Sequence, residues 1–434
     1  MKTKLLLLLF FANLSIYAQY TNIPDVNFEN KLINLGIDSG TPDGKVLTDN
    51  IDKLTYLDVR YSSINDLAGI QDFTSLITLY TGSNQLKTLD VSKNNVLAYL
   101  DCSSSQLTSL DLSKNTVLEY LDCDYNQLTS LDVSKNTRLA SLICSANSIK
   151  SLDISNNIYL RTLFCAYNSI TTLDISKNYF LKEFACNSNY LKSLDASKNT
   201  LLETFYCDKN QLTSLDLSKN TALKYLDCTF NQLTTLDLSS ISLETLSCYS
   251  NQLTSLNVSK STALKKLYCN SNQITSLDFS NNTSLETLLC GDNQLTDLNL
   301  KNGKNTFLSI LSCSPNPNLT CIQVDDAPYS DANWYYAKDV TAIFSTECTS
   351  LVIEESVFSK VSMYPNPTKG EVTISNVALD KASVYNSVGQ LVRTFTLDSS
   401  NTDNTINLSG LVKGVYYIYL INQDVASAKK VIVE

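Results

Sequence analysis

Cysteine is the residue type whose spacing first suggests chemistry. Eleven of the thirteen cysteines recur about every 21 residues, at Cys102, Cys123, Cys144, Cys165, Cys186, Cys207, Cys228, Cys248, Cys269, Cys290 and Cys313. Thiols in such an array could form disulfides, ligate a metal or act as nucleophiles. The chain has no histidine, so Cys–His and Ser–His nucleophile pairs are excluded and the commonest metal ligand is missing. Catalysis by carboxylates alone stays open, but the sequence has no catalytic constellation or cofactor motif, and we predict that the protein is not an enzyme and uses neither a cofactor nor a metal.

The neighbours of these cysteines predict a buried column of free thiols. Cys123 follows Leu121 by two positions, which is the alternation of a strand. Parallel strands about 4.8 Å apart hold Cβ atoms farther apart than the roughly 3.8 Å that a disulfide needs. A metal-binding ladder is the alternative, but thiolates need an accessible, electropositive setting. Cys321 and Cys348 stand outside the column and bracket Trp334, and we predict one disulfide between them.

The cysteine column belongs to a repeat that fills the middle of the chain. The unit Leu118–Arg138 reads LEYLDCDYNQLTSLDVSKNTR, and thirteen such units of about 21 residues run from Leu54 to Asn316. Each unit has two similar halves, LxxLxCxxNxL and LTSLDVSKN. We expect each half to form a short strand that ends in a turn at an asparagine. One coil cannot bury its own leucines, whereas stacked coils can, so the sequence predicts a mainly β solenoid.

The pattern LxxLxCxxNxL resembles the highly conserved segment of leucine-rich repeats, and LTSLDLSKN resembles the second segment of a bacterial subclass. This resemblance covers residues 54–316 and implies a leucine-rich-repeat solenoid. Because the ends of a solenoid expose apolar core, both ends need caps. Residues 317–349, closed by the predicted disulfide, are the expected C-terminal cap.

Residues 19–53 resemble the helical N-terminal cap of bacterial leucine-rich proteins. Phe28, Leu32 and Leu35 stand at helical spacing, and Gly36 follows as a stop signal. We therefore expect one amphipathic helix that covers the first coil.

The second half of the unit is nearly constant, which suggests a structural face. Its outward column is acidic in most units: Asp90, Asp111, Asp132, Asp153, Asp174, Asp195, Asp216, Asp237, Asn257, Asp278 and Asn299. Like charges about 4.8 Å apart repel, so this column must be exposed to solvent. A column of lysines nearby should offset the repulsion: Lys93, Lys114, Lys135, Lys177, Lys198 and Lys219. The alternative is an array that binds a regular cation lattice or a polysaccharide.

The first half varies at its outward positions, and the residue before each cysteine changes between acidic and apolar types. The leucine-rich-repeat resemblance implies that this strand lines the concave face, where ligands of the family usually bind. Ile143, Phe164 and Tyr206 would form an exposed apolar strip between acidic ends, and exposed aromatic clusters are typical binding hot spots. Our candidates for ligand binding are Ile143, Phe164, Tyr167, Tyr206, Tyr225 and Tyr268.

Residues 1–18 have the pattern of a secretory signal peptide. Lys2 and Lys4 form a basic start, an apolar stretch follows, and Ile16-Tyr17-Ala18 is a small-residue exit. No later apolar run is long enough to predict a transmembrane helix.

After Cys348 the repeat stops, and residues 350–434 contain seven short alternating stretches that predict a small β-sandwich. This tail resembles the C-terminal sorting domain of proteins exported by the type IX secretion system. Besides the segment 385–390, the residues that carry the resemblance are Pro365, Asn366, Pro367, Gly370, Gly414, Lys429 and Lys430. The resemblance implies recognition by that secretion machinery, and secretion or delivery to the outer membrane and cell surface.

The predicted function is binding. The net charge of −10 repels phosphate backbones, so nucleic acid is not an expected partner. We expect an adhesin-like leucine-rich-repeat protein, secreted or held at the cell surface, that binds an unknown protein or glycan. The alternative is a structural surface-coat protein without a specific ligand.

Overall fold

A computed structural model describes residues 19–348, 358, 360–422 and 425–434. The chain divides into two compact units, Met1–Glu347 and Cys348–Glu434. The predicted signal peptide, residues 1–18, lies outside the described residues. No helix within the described residues is both long and apolar enough to cross a membrane.

A 13-stranded parallel sheet runs along the first unit, with one strand from each repeat. Its strands are β3 (Tyr56–Asp58), β4 (Thr78–Tyr80), β5 (Tyr99–Asp101), β6 (Tyr120–Asp122), β7 (Ser141–Ile143), β8 (Thr162–Phe164), β9 (Glu183–Ala185), β10 (Thr204–Tyr206), β11 (Tyr225–Asp227), β12 (Thr245–Ser247), β13 (Lys266–Tyr268), β15 (Thr287–Leu289) and β17 (Ile310–Ser312). The middle residue of every strand is a buried Leu or Phe. Neighbouring coils pair residue for residue, so equivalent residues form continuous columns. The predicted solenoid is confirmed.

Asparagine side chains connect each coil to the one before it. The Asn168 amide nitrogen donates to the carbonyl of Cys144 in the preceding coil at 3.0 Å and to the carbonyl of Cys165 at 3.2 Å. Its amide oxygen accepts the backbone N–H of Ile149 at 2.9 Å. These contacts satisfy backbone groups that the turn would otherwise leave buried and unpaired. The expected asparagine turn in the first half is therefore confirmed.

The prediction of a strand in every second half was wrong. Among the described repeats, the second half forms a strand only near the C-terminal end, in β14 (Ser276–Asp278) and β16 (Asp297–Asn299). In all of these coils an acceptor oxygen takes the backbone N–H two residues ahead, as where the Asp132 carboxylate accepts that of Ser134 at 2.9 Å. A second asparagine column then holds the coils together, and Asn136 donates to two carbonyls at 3.1 and 2.8 Å.

The cysteine column lies in the core, as predicted. All eleven repeat cysteines are buried and carry free thiols. Burial raises the pKa of the Cys123 thiol well above its usual range, since a thiolate is poorly solvated there. Cysteine acts here as a small apolar side chain that the narrow coil accommodates.

The N-terminal cap consists of β1 (Tyr20–Asn22), α1 (Val26–Asn34) and β2 (Lys45–Leu47), with β1 and β2 antiparallel. Asp25 caps the helix by accepting two backbone N–H groups, and Gly36 follows it with φ at +72°. Phe28 and Leu32 are buried as expected. Leu35 is exposed, because the helix ends at residue 34 and the side chain leaves the core-facing stripe.

The C-terminal cap consists of β18 (Cys321–Gln323), α2 (Ala327–Trp334) and β19 (Ile343–Ser345). Strands β18 and β19 continue the sheet that β14 and β16 begin. The Trp334 ring is buried against Phe344, with ring centroids 6.0 Å apart. Cys321 and Cys348 form the predicted disulfide, which fixes the chain after the last strand of the cap.

The described residues of the C-terminal unit form seven antiparallel strands, the predicted number. They are β20 (Ser362–Tyr364), β21 (Glu371–Ser375), β22 (Lys381–Asn386), β23 (Leu391–Thr396), β24 (Asn404–Asn407), β25 (Gly414–Asn422) and β26 (Val425–Val433). One sheet has the order β20-β21-β24 and the other has β23-β22-β25-β26. Residues from both sheets, such as Ile374 and Ile418, share one apolar core.

The burial of the thiols predicts their reactivity. In the native, non-reduced protein we expect a maleimide reagent to label none of the cysteines, because each free thiol is enclosed and its thiolate form is disfavoured. Unfolding without reductant should expose eleven thiols, and reduction should add the two of the disulfide. Intact-mass spectrometry counts the labels. Fast native labelling of several repeat cysteines would contradict the buried column.

Candidate ligand-binding surface

The outward side of the 13-stranded sheet, here called the sheet face, is formed by the first and third residues of each strand. Ile143, Phe164, Tyr206 and Tyr268 occupy the third position of their strands, and Tyr225 occupies the first. Five of the six predicted binding residues therefore lie on this face.

Four neighbouring third positions form an apolar row: Ile143, Phe164, Ala185 and Tyr206. The backbone register pairs Ile143 with Phe164, Phe164 with Ala185, and Ala185 with Tyr206. Tyr206 is 40% exposed, but Ile143 and Phe164 are half-buried and Ala185 is buried. The expectation of a fully exposed strip was thus too strong, because side chains at strand spacing cover one another.

Tyr167 lies in the turn after β8 and is exposed beside the apolar row. Its φ of +52° is in the left-handed region, and Tyr125 and Phe230 adopt the same conformation in their own turns. That conformation costs an ordinary residue about 1–2 kcal/mol, and the asparagine contacts that follow, such as those of Asn168, compensate. The turn thus holds a large ring in solvent.

The other two predicted tyrosines lie outside the row. Tyr225 is one coil beyond Tyr206, and its hydroxyl donates to Glu244 at 3.4 Å. Tyr268 is three coils from Tyr206, with Asp227 and Ser247 between them in the same column. The structure brings Tyr225 to the edge of the apolar row and separates Tyr268 from it.

Carboxylates border the apolar row at both ends. Asp122 is the register partner of Ile143, and Asp227 is the partner of Tyr206. Burial, followed by the nearby Asp124 and Asp101, raises the pKa of Asp122 to about 7. None of these carboxylates is in any of the four ion pairs found among the described residues.

The far end of the row has a similar carboxyl group. Burial and the neighbouring Asp227 raise the pKa of Asp208 to about 6. Carboxyl groups that are partly desolvated beside like charges are typical of functional sites, because a ligand can supply the missing counter-charge.

The aspartate column of the second half has a different role. The Asp132 carboxylate accepts the backbone N–H two residues ahead, and hydrogen bonds from Ser134 hold the pKa of Asp132 below its usual range. Asn257 and Asn299 accept the equivalent N–H groups at 3.0 and 2.9 Å. The position therefore requires an acceptor oxygen rather than a charge, which favours the structural interpretation. Within the described residues, no group of three carboxylates or thiols is arranged to hold a metal ion.

One exposed apolar surface was missed by the sequence analysis. The side chains of Ile158, Tyr159, Tyr179, Phe180 and Leu201, here called the flank patch, are exposed in three successive coils. They lie just before the first leucine of their units. The detectable signal is in the column two residues before that leucine, where eight units have Thr74, Thr116, Thr137, Thr200, Thr221, Thr262, Thr283 and Thr306. Ile158 and Tyr179 interrupt this threonine column, as do Asn95 and the buried Ile241.

In the C-terminal unit, the structure joins the two ends of the predicted sorting signal. The Asn366 side chain donates to the carbonyl of Lys430 at 2.8 Å and accepts the N–H of Ile432 at 2.9 Å. The backbone of Thr368 continues this contact. Its N–H donates to the carbonyl of Ile432 at 2.8 Å, and its carbonyl accepts the N–H of Glu434 at 2.9 Å. The segment that contains Pro365 and Asn366 thus covers one edge of the terminal strand β26.

The remaining predicted sorting residues have local structural roles. Thr368 donates its hydroxyl to the carbonyl of Glu371 at 2.6 Å and accepts the N–H of Gly370 at 3.0 Å, and a Cβ at Gly370 would collide with the Ser409 side chain. Gly414 begins β25, and Lys429 and Lys430 lie on β26. Pro367 precedes Thr368 in the covering segment.

The comparison with family models agrees with the tail. The model described as secretion system C-terminal sorting domain matches residues 362–434. No match was found among the curated proteins.

Solved structures resemble the chain over most of its length. The functional domain of InlJ from Listeria monocytogenes, described as including a cysteine ladder, aligns with a TM-score of 0.63 and 26% identity over 96% of this chain and 99% of that chain. The internalin InlF from the same species has a TM-score of 0.62 and 22% identity over 76% and 96% of the chains. A leucine-rich-repeat protein of Leptospira interrogans has a TM-score of 0.52 and 22% identity over 64% and 74%.

These findings confirm both resemblances seen in the sequence. The repeat region is a leucine-rich-repeat solenoid. The sorting domain at its C-terminal side indicates secretion or export to the cell surface, and implies contact with the secretion machinery.

The carboxyl group of Asp122 predicts a pH dependence of stability. Its pKa rises from about 3.9 in the unfolded chain to about 7 in the fold, so the folded state binds more protons between those values. This contribution is fully present below pH 4 and is lost as the pH rises through 7. The Asp122→Asn variant should therefore gain stability relative to the wild type as the pH rises from 5 to 8. The difference between their free energies of unfolding should grow by about 1–2 kcal/mol over this range, after allowance for solvent screening.

Urea unfolding at several pH values measures this change. The matched control is Asp132→Asn. Because hydrogen bonds from Ser134 lower the pKa of that carboxyl, the difference in free energy of unfolding between this variant and the wild type should not change between pH 5 and 8. If the difference for Asp122→Asn is also independent of pH, the raised pKa of Asp122 is contradicted.

The contacts of Asn366 predict its importance for the tail. Asn366→Ala removes two hydrogen bonds to β26, so we expect the C-terminal unit to lose about 1–2 kcal/mol of stability and export to decrease. Limited proteolysis and the amount of protein delivered by the producing bacterium measure the two effects. Ser399→Ala, in an exposed turn of the same unit outside the segments that carry the sorting resemblance, is the control and should change neither. Normal proteolytic resistance of Asn366→Ala would show that the covering segment is dispensable.

Proposed function

We propose that this chain is a cell-surface or secreted binding protein that holds a protein ligand on its sheet face, around the apolar row. The observation that carries the proposal is the sequence of side chains along one column of the sheet. An unneutralised carboxylate, four apolar residues and a second carboxylate follow one another without interruption, from Asp122 to Asp227. Asp122 and Asp227 each accept one backbone N–H, from Asp124 and Thr229. No cationic side chain pairs with either carboxylate in the ion pairs of the described residues, so a basic ligand would supply the missing counter-charge.

The length of the apolar row and the distance between its bordering carboxylates indicate the size of the ligand. Adjacent strands lie about 4.8 Å apart, so the apolar row spans about 14 Å and the two bordering carboxylates are about 24 Å apart. An extended peptide of about seven residues covers that length. A segment with apolar side chains at its centre and basic side chains toward both ends fits this surface.

The chemistry of the row favours a protein over a glycan. Ile143 and Ala185 offer aliphatic contact rather than a flat ring, whereas Phe164 and Tyr206 are the side-chain types that dominate protein interfaces. Tyr167 extends the surface at the side of the row. The raised pKa of Asp122 adds a consequence, since a bound cation stabilises the ionised carboxylate and binding weakens below neutral pH.

The export indicated by the sorting domain supports this function, because it delivers the sheet face to the place where foreign proteins are met. No cofactor is needed for binding of this kind. The proposed activity is therefore recognition, with Phe164 and Tyr206 as the central contacts and Asp122, Asp208 and Asp227 as the groups that select a basic partner.

The double substitution Phe164→Ala and Tyr206→Ala tests the proposal. For a protein partner captured by the wild-type chain, we expect the dissociation constant to rise at least about 30-fold, since two central aromatic contacts contribute about 1 kcal/mol or more each. Isothermal titration calorimetry at pH 7.5 and pH 5.5 measures the affinity and its pH dependence.

Tyr268→Ala is the matched control, because it removes a tyrosine from the same column three coils away. It should leave the affinity unchanged. Unchanged affinity in the double variant, or capture of glycans alone in binding arrays, would rule out a protein ligand on this row.

A further inference from the structure

Three tyrosines stand together on the outer face of the sheet β23-β22-β25-β26 in the C-terminal unit. Tyr385 lies on β22, and Tyr417 and Tyr419 lie on β25. The register pairs Tyr385 with Tyr417, and the alternating residues Val384 and Ile418 belong to the core. Tyr417 and Tyr419 are each 41% exposed. The three rings therefore face solvent on the side of the sheet that is turned away from the core.

The rings line a cavity, here called the tyrosine pocket. Its volume is about 490 Å³, which is within the range of small-molecule sites, about 300–1,000 Å³. The rings of Tyr385 and Tyr419 are inclined at 70° with centroids 5.1 Å apart, so they form a corner. The lining side chains and backbone belong to Tyr385, Asn386, Ser387, Gly389, Tyr417 and Tyr419. The pocket thus joins the segment 385–390, which carries part of the sorting resemblance, to β25.

The turn after β22 gives the pocket a fixed shape. The Asn386 side-chain oxygen accepts the N–H of Val388 at 3.2 Å and that of Gln390 at 2.9 Å. Its amide nitrogen donates to the side-chain oxygen of Gln390 at 3.1 Å. Gly389 has a φ of +82°, which glycine adopts without strain. Because the chain itself holds this turn, a ligand pays little conformational entropy to order it.

The fold does not require tyrosines at these positions. Outward positions of a β-sandwich are normally polar, and Lys381, Thr394 and Ala428 occupy exposed outward positions of the same sheet. The hydroxyls of Tyr364 and Tyr416, elsewhere in this unit, take part in hydrogen bonds. Among the described residues, the hydroxyls of the three pocket tyrosines have no such partner. These rings are therefore placed for contact with something outside the chain.

The pocket combines flat ring faces with a polar rim. A pyranose ring has the complementary arrangement, since its C–H face stacks on an aromatic ring and its hydroxyls exchange hydrogen bonds with hydroxyl and amide groups. The phenol hydroxyls, Asn386 and Ser387 supply those groups. A proline or another apolar side chain of a peptide would use the rings but not this rim. The chemistry of the lining therefore favours a sugar over a peptide.

One cation stands at the edge of the pocket. Lys430 on β26 is the register partner of Tyr417, so its side chain leaves the sheet on the same face. Lys430 is exposed and belongs to none of the ion pairs of the described residues. Residues 348–434 carry seven Lys or Arg and eight Asp or Glu, a net charge of −1, against −10 for the whole chain. The unit thus lacks the charge that would repel an acidic ligand.

We propose that the tyrosine pocket binds a uronic acid residue of a polysaccharide. The sugar ring lies against Tyr417 and Tyr419, its hydroxyls bond to Asn386 and Ser387, and its carboxylate pairs with Lys430. The tail then has a second function besides sorting, because it holds the exported chain on an acidic polysaccharide. The site uses no residue of the solenoid, so the assignment is independent of the protein ligand proposed for the sheet face.

Saturation-transfer difference NMR of the full exported chain with trigalacturonate tests the site. We expect a dissociation constant of about 0.1–1 mM, typical of a single small site, and no binding of the neutral trisaccharide maltotriose at the same concentrations. Tyr417→Thr with Tyr419→Thr removes both rings and should raise the dissociation constant at least about tenfold. Threonine is a good strand former, so this variant should keep the fold, which thermal unfolding checks.

Lys430→Gln tests the role of the charge separately from the rings. It should weaken trigalacturonate binding by about threefold to tenfold, a contribution of about 1 kcal/mol. Raising the NaCl concentration from about 0.15 to about 1 M should weaken binding to the wild type, because salt screens the ion pair. The same change should have little effect on Lys430→Gln. Equal salt dependence in both proteins overturns the pairing of Lys430 with the ligand.

Val412→Ala is the matched control, because it truncates an apolar side chain of the same unit that is 78% exposed and lies outside the pocket lining. It should bind trigalacturonate as the wild type does. The proposal is overturned by a wild-type chain that does not bind trigalacturonate up to about 10 mM, well above the expected dissociation constant. It is also overturned by a folded double-threonine variant with unchanged affinity, or by a wild-type chain that binds oligoproline in place of the sugar.

Discussion

The asparagine contacts between coils are the constraint on which the rest of this structure depends. A coil of about 21 residues turns twice, and every turn takes backbone N–H and carbonyl groups out of reach of the sheet. Asn168 contacts four of them with one side chain, three carbonyls and one N–H from two coils. A buried backbone group left unpaired costs about 1–3 kcal/mol, so these side chains determine which spacing of coils is stable. Once that spacing is fixed, every other residue of the unit belongs to a column.

The columns explain why this protein combines a rigid interior with a variable surface. Cys123 and its equivalents fill a small buried position that Val59 fills in the first coil, and a disulfide there would pull neighbouring coils together. Asp132 and its equivalents need only one acceptor oxygen, which Asn257 also provides. The first and third strand positions carry no such requirement, and there the residue types vary from coil to coil. The scaffold accepts many residue types at the first and third strand positions, so sequence differences between repeats at those positions indicate function.

The same reasoning separates what the sequence could predict from what it could not. Periodicity identified the buried Cys123 column, and the two cysteines outside it were correctly paired as Cys321 and Cys348. Periodicity was misleading in the second half, because the apolar alternation is the same in the coils that form a strand there, β14 and β16, and in the earlier coils that do not. The exposure of Phe164 depends on its register neighbours in adjacent strands, which alternation does not describe. Contacts such as those of Asn366 with Lys430 and Ile432 join residues more than sixty positions apart, so only the folded tail reveals them.

The energetic cost of the candidate site is consistent with its function. Asp122 and Asp208 are carboxyl groups that burial and neighbouring charges make harder to ionise. Each feature lowers the stability of its own coil. In a solenoid that loss is shared with the neighbouring coils, whose contacts are unchanged. The regular units on either side can thus stabilise a few coils whose outward residues serve a ligand, and the apolar row, its carboxylates and the flank patch all fall within this central stretch.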